Sequence, residues 1–359
     1  PSSRQGSWAI FKQKTTYVIH ERLVGSEMCI RDRNNSYSIC RDIFKEHAKT
    51  YYLGAVLFNK PKFRHICAFY GFVRVIDNII DEKPELSLIK KREILLEIET
   101  FFFTILNEKN VYLGSVSYLD NFGIKDNIHL KLFFDILPAV INTFQEINIT
   151  EEIVRSFFKS MRMDLYKFRY KTTSELEDYM NGSAEIIGEV MYYIMEDNHS
   201  FEMVDYAYAL GRSFQLTNFI RDIREDFEMK PSRIYIPINC QEDFEVNLED
   251  DIPNIINGTI KEKEFQNVKD LIKSEIEKVE VIYEFAQVGI DKLEDRENIN
   301  LSKVLYSSIH NKIRENDYDV FSQRCHLTFW EKMRISYCLL SWYNIFRFII
   351  NYISYSYFF

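Results

Sequence analysis

Gly211-Arg-Ser-Phe-Gln-Leu-Thr-Asn-Phe-Ile-Arg-Asp-Ile-Arg-Glu-Asp226 places Gln215, Asn218, Asp222 and Asp226 at steps of three, four and four residues. That spacing predicts a helix with one polar stripe. Phe214, Leu216, Phe219 and Ile223 fall on its other faces, Glu225 adds another anion, and Arg221 and Arg224 lie close by.

A second stretch repeats the pattern. In Cys67-Ala-Phe-Tyr-Gly-Phe-Val-Arg-Val-Ile-Asp-Asn-Ile-Ile-Asp81, Asp77 and Asp81 are four residues apart. On a helix they share a face, about 6 Å apart along the axis. Tyr70 and Arg74 extend the stripe backwards, while Val73, Ile76 and Ile80 lie opposite. Like charges at this spacing cost a few tenths of a kcal/mol unless something neutralises them. Alone, either a solvated acidic edge or a binding face explains the pair. Two such helices facing each other would gather carboxylates inside an apolar bundle, which is costly unless divalent cations bind there. All-oxygen donors suit Mg²⁺. Neither stripe contains His, which argues against a di-iron carboxylate bundle.

The rest of the chain agrees with a helical reading. Its 359 residues include only 11 Gly and 7 Pro, too few for the many turns of a β-sandwich or barrel. A hydrophobic content of 46% is ample for a large core and argues against disorder. Ile66, Phe69, Val73 and Ile76 recur at helical steps, as do Ile153, Phe157 and Met161. Loop candidates are Lys83-Pro84, Asn107 to Asp126, Lys230 to Ile236 and the acidic stretch Gln241 to Gly258. No interior linker marks a boundary, so one all-α domain is expected over residues 34–337. With 45 Lys+Arg against 54 Asp+Glu, the net charge of −9 excludes the basic footprint of non-specific nucleic-acid binding. Six cysteines without a CxxC pair argue against a zinc site or a disulfide framework.

The two ends read differently. Residues 1–33 show no clear helical period and are expected to be non-native or disordered. Residues 338–359 are rich in Ile, Phe, Tyr and Leu but are interrupted by Arg347, Asn344, Asn351 and serines. An interfacial or packed terminal helix is expected there, ahead of a membrane-spanning one.

At the two acidic stretches the sequence resembles the squalene/phytoene synthase family, the head-to-head prenyl synthases. His47-Ala-Lys-Thr-Tyr-Tyr52, Tyr179-Met-Asn-Gly-Ser-Ala-Glu-Ile-Ile-Gly188, Arg233-Ile-Tyr-Ile-Pro237, Leu305-Tyr-Ser-Ser-Ile309 and Tyr318-Asp-Val-Phe-Ser-Gln-Arg324 fit further family segments in order. The likeness covers Cys40 to about Arg334 and is closest to phytoene synthases. It departs at Asn78, where the family often has an acid, and at Lys230-Pro-Ser, where a Gly is usual.

The resemblance implies a helical bundle of the isoprenoid synthase type around a central apolar cavity. It implies condensation of two allylic diphosphates through a cyclopropylcarbinyl diphosphate. Two geranylgeranyl diphosphates giving phytoene lead, with dehydrosqualene or squalene from farnesyl diphosphate as the alternative. Asp77, Asp81, Asp222 and Asp226 are then the catalytic acids. Together with Asn218 they would hold Mg²⁺, with Mn²⁺ as a substitute. Arg74, Arg221, Tyr70, Gln215 and Tyr306 would bind diphosphate, while His47 and Thr50 belong to the early substrate segment. Asp164 resembles a further family acid. NADPH is needed only for squalene. Local readings remain open beside these: internal salt bridges for Arg74 and Arg221, and close helix packing instead of room for prenyl chains at Gly182, Ser183, Ala184 and Gly188. A non-catalytic relative acting as an assembly factor would be expected to lose acids that are present here. The family also implies a location on the cytoplasmic side, soluble or peripherally bound to a membrane, or a plastid in a photosynthetic eukaryote.

Overall fold

The computed structural model describes residues 26–81, 87–108, 128–197, 199–341 and 344–345. Among these the regular elements are helices, with one isolated bridge between Arg169 and Ile234. The expected turn at Lys83-Pro84, most of the expected loop at 107–126, residues 1–25 and residues 346–359 lie outside the described residues.

The first half comprises α1 (Ser26–His47), α2 (Lys49–Ala55), α3 (Lys60–Asp81), α4 (Leu88–Glu108), α5 (Ile128–Glu146) and α6 (Glu151–Met163). The helix α1 begins N-terminal of the expected boundary at residue 34, and Arg33 on it donates to Asn142 of α5 at 2.6 Å. Much of the aromatic content is spent on plain core. Phe72 of α3 meets Phe102 at 5.0 Å, Phe144 and Phe157 at 5.4 Å and Phe158 at 6.1 Å, so its one ring ties α3 to α4, α5 and α6. Thr150 starts α6 by accepting a hydrogen bond from the Ile153 amide, and Glu151 and Glu152 sit in the first turn, where the helix dipole favours them.

The second half begins with α7 (Thr173–Met180), which passes through a π-helical turn at Asn181–Glu185 into α8 (Ile186–Met195). Then come α9 (Phe201–Arg221), α10 (Ile223–Glu228), α11 (Ile238–Glu242), α12 (Leu248–Ile256), α13 (Glu262–Ile290), α14 (Arg296–Glu315) and α15 (Phe329–Leu339). The acidic stretch 241–258, expected as a loop, contains α12 instead. Asn247 caps it by accepting from the Glu249 amide at 3.2 Å, and Glu249, Asp250 and Asp251 occupy its first turn. Acids that read as loop composition are here the complement of a helix N-terminus.

Helix α9 lies centrally, packed on α8, α13 and α14. Its approach to α8 is very close. A Cβ on Gly188 would lie 2.1 Å from the Ala207 carbonyl oxygen, and one on Gly211 would lie 2.3 Å from that of Ala184. Close packing is therefore what the small residues of this segment provide. No described helix is long and apolar enough to cross a membrane.

Candidate active site

The first stripe forms on α3 as its spacing requires. Arg74 Nη1 donates to Asp77 Oδ2 at 2.9 Å, and Asp81 closes the helix. Asn78, the departure from the family pattern, points into the core and is 6% exposed, so it belongs to a different face from the pair. The Tyr70 ring lies 4.5 Å from Phe44, and burial pushes its phenol up to about 12. Lys91 of α4 is buried and donates its ammonium to the Ile80 carbonyl, capping the last turn of α3 with a cation.

The second stripe crosses the junction of α9 and α10. Helical bonding persists through it: the Asp222 amide donates to the Asn218 carbonyl, and the Asp226 amide to the Asp222 carbonyl, both at 2.8 Å. Arg221 Nε donates to Asp222 Oδ1 at 2.7 Å. Arg324 approaches the same carboxylate from beyond α14, Nε to Oδ1 at 2.9 Å and Nη2 to Oδ2 at 3.0 Å. The Tyr306 hydroxyl of α14 donates to Asn218 Oδ1, while its ring stacks on Tyr51 and meets Phe214, each at 4.8 Å. Gln215 is half-buried on α9, and Asp226 has no ion-pair partner among the described residues.

Arg233 joins the stripes. Its segment is held against residues 168–170 by the Ile234 amide on the Phe168 carbonyl (3.0 Å) and the Ile238 amide on the Tyr170 carbonyl (2.9 Å). Tyr235 next to it stacks on Phe219 at 3.9 Å. So fixed, the Arg233 amide donates to the Asp226 carbonyl at 2.8 Å, and its Nη2 donates to Asp81 Oδ1 at 3.1 Å. Asp164, at the end of α6, is buried beside it and accepts a hydrogen bond from the Tyr179 hydroxyl at 3.2 Å.

The electrostatics separate these acids. Burial, and then Asp81, push the Asp77 carboxyl up to about 6. Burial, and then Asp222, push Asp226 up to about 7, and burial does the same to Asp164. Asp222 is also lifted by burial, but Arg221 and Arg324 outweigh that and hold it below the usual carboxylate range.

Among the described residues no three acidic, imidazole or thiol groups are clustered so as to hold a metal ion. The donor chemistry nevertheless fits a hard divalent cation. The donors are carboxylate and amide oxygens, the Asp77 and Asp226 carboxyls are both raised above the usual carboxylate range, and Asp164 Oδ1 is buried without a partner. The salt-bridge alternative for Arg74 and Arg221 is the arrangement found here.

His47 and Thr50 complete the expected set. His47 is exposed at the end of α1, and the Thr50 side chain lies outside the described residues. Arg233, Arg324, Lys91 and Tyr51 were not singled out from sequence. Arg233 and Arg324 do fall inside family-like segments, but their carboxylate partners lie 152 and 102 residues away, so no local spacing reveals them. Two surface grooves, of about 390 and 530 Å³, lie elsewhere: one beside Glu99 and Arg155, the other beside Glu294 and Asn344.

The family model described as squalene/phytoene synthase matches residues 44–331. Phytoene synthase of Arthrospira platensis is 28% identical over 315 residues, covering 84% of this chain and 91% of the relative. The 15-cis-phytoene synthase of Synechocystis sp. is 27% identical over 305 residues, covering 81% of this chain and 80% of the relative. The fold is similar to a crystal structure of a dehydrosqualene synthase in complex with ligand, with TM-score 0.70 at 19% identity, covering 87% of this chain and 97% of the other. It is also similar to squalene synthase HpnC from Alicyclobacillus acidocaldarius, with TM-score 0.64 at 18% identity and coverage of 80% and 95%. The match over most of the chain, a span that contains both acidic stripes, shows that this chain belongs to the squalene/phytoene synthase family.

Proposed function

We propose that this chain is a prenyltransferase that joins two allylic prenyl diphosphates head to head through a cyclopropylcarbinyl diphosphate, with two geranylgeranyl diphosphates giving phytoene. The observation that carries this reading is the meeting of the two acidic stripes at Arg233, with its guanidinium on Asp81 and its amide on the Asp226 carbonyl. The relatives at 27–28% identity that cover most of the chain are named phytoene synthases, which favours the C20 substrate.

Mg²⁺, or Mn²⁺ in its place, held by Asp77, Asp81, Asn218, Asp222 and Asp226, would supply the positive charge that stabilises departing pyrophosphate. Arg74 and Arg221 rest on Asp77 and Asp222 and would turn their forks to diphosphate oxygens once those carboxylates are engaged. Tyr306 orients Asn218 and, with Tyr70 and Gln215, borders the diphosphate region. His47 and Thr50 are assigned to the early substrate segment. Ionisation leaves an allylic cation that water would quench, so aromatic and aliphatic walls such as Phe44, Tyr51 and Phe214 have the composition the step needs. Peripheral membrane contact through residues 338–359 is part of the same proposal, since the product dissolves in lipid.

The test is to incubate the purified chain and Mg²⁺ with the C15 or C20 diphosphate, with and without NADPH, and to identify the hydrocarbons. Phytoene from the C20 substrate without NADPH supports the proposal. Squalene or dehydrosqualene from the C15 substrate replaces the C20 assignment. Absence of pyrophosphate release under every combination rejects a synthase and leaves the non-catalytic relative.

A further inference from the structure

Arg233 is 9% exposed and uses only one of its three guanidinium nitrogens in described hydrogen bonds. Nη2 donates to Asp81 Oδ1 at 3.1 Å and to the Asp164 backbone carbonyl at 3.5 Å, whereas Nε is buried without a partner. Asp164 is 7% exposed, and its Oδ1 is likewise buried without a partner. Two buried groups of opposite charge, each with an unused polar atom, form a site that is incomplete as it stands, because buried polar atoms normally find partners. The charge of Arg233 acts on Asp77, Asp81, Asp164 and Asp226 together. Lys91 adds a second buried cation facing Asp81. The Arg233 backbone is pinned by its own bonds to Asp226 and by those of Ile234 and Ile238, so the guanidinium can leave the acids without the segment moving.

We propose that Arg233 is the resident counter-cation of the acidic site: in the metal-free chain its guanidinium holds α3 to the end of α6 through Asp81 and Asp164, and a divalent cation takes over that charge on binding. This rests on the metal-dependent reading above and adds to it a role in the unloaded protein. The physical basis is replacement. An arginine remains charged at every relevant pH, so the carboxylates around it are never left wholly unbalanced, and the bridge is a single nitrogen that a better ligand can displace. Arg233 is thus a positioning residue whose effect is on stability before metal binding.

The test is thermal unfolding of the full chain with and without Mg²⁺ alone, in the wild type, Arg233→Gln, Arg233→Lys and the double variant Arg233→Gln/Asp164→Asn. Arg233→Gln is expected to melt lower than the wild type without metal and to gain about twice the wild-type rise on adding Mg²⁺, because the ion supplies the missing charge. Arg233→Lys keeps the charge and is expected to respond like the wild type. The double variant removes one charge of each sign and is expected to melt closer to the wild type than Arg233→Gln alone. Equal Mg²⁺-induced rises in the wild type and Arg233→Gln overturn the proposal, since a purely structural bridge would behave that way. So does a double variant no more stable than the single one. Hydrocarbon formation by the wild type separates the two levels: a working synthase with equal rises loses only the counter-cation role, whereas an inactive wild type loses the synthase reading.

Discussion

Arg324 grips both carboxylate oxygens of Asp222, at 2.9 and 3.0 Å, from 102 residues further along the chain. Arg221 holds the same carboxylate from the neighbouring position, so the most strongly compensated acid of the second stripe is Asp222, while Asp226 one turn later has no ion pair among the described residues. The two acids of one stripe are therefore held at opposite ends of the carboxylate range, Asp222 below it and Asp226 up at about 7.

Replacing Arg324 with Met leaves Arg221 alone on Asp222. A carboxyl whose folded pKa is depressed contributes stability that is full above its unfolded value, about 3.9, and is lost as pH falls through the folded value. Arg324→Met is thus expected to be less stable than the wild type at pH 7, with the gap narrowing towards pH 3. Urea unfolding at both pH values checks this, and a gap that persists unchanged in acid contradicts it.

The raised acids act in the other sense. Asp77, at about 6, and Asp164 and Asp226, at about 7, bind protons more tightly folded than unfolded. Between their unfolded and folded values the native state holds more protons, so their contribution makes the metal-free chain lose stability as pH rises from about 4 to 7. Added Mg²⁺ is expected to offset that loss at pH 8 and to do little near pH 5.5, where protons compete for the same oxygens. Melting curves across this range with and without Mg²⁺ measure the effect, and a Mg²⁺ response independent of pH contradicts it.

Gly188 tests the packing of α8 on α9. An alanine in a helix is normally about 1 kcal/mol better than glycine. Here the added Cβ would lie 2.1 Å from the Ala207 carbonyl oxygen, and backbone cannot swing aside as a flexible side chain can. Gly188→Ala is expected to destabilise by about 1–3 kcal/mol in denaturant unfolding, the usual cost of overpacking. A product of altered chain length with no loss of stability would instead return this glycine to the substrate cavity.

Much of this was legible in the sequence, for physical reasons. Scarce Gly and Pro and the repeats at three and four residues specify helices, and residues such as Phe72 and Ile76 do go to the core. The alignment of Asp77 with Asp81 and of Asp222 with Asp226 was legible because helical spacing is a local property. The electrostatic links between stripes were not. Arg233 reaches Asp81, and Arg324 reaches Asp222, only through tertiary folding, and nothing near either arginine in the chain marks its partner. The acidic 241–258 stretch misled because composition alone does not separate a loop from a helix N-terminus, where Asn247 and three following acids are equally at home. The helical glycines were ambiguous for a similar reason: smallness signals close approach but not what approaches.

Metal-assisted ionisation by the two stripes is tested most directly by following pyrophosphate release from geranylgeranyl diphosphate with Mg²⁺ in the wild type, Asp77→Ala and Asp222→Ala, with circular dichroism confirming that each is folded. The expected result is release by the wild type and a loss of at least about a thousandfold, the scale of removing a main charge-stabilising group, in either folded variant. Wild-type rates in both variants would contradict the assignment of these carboxylates to the reaction.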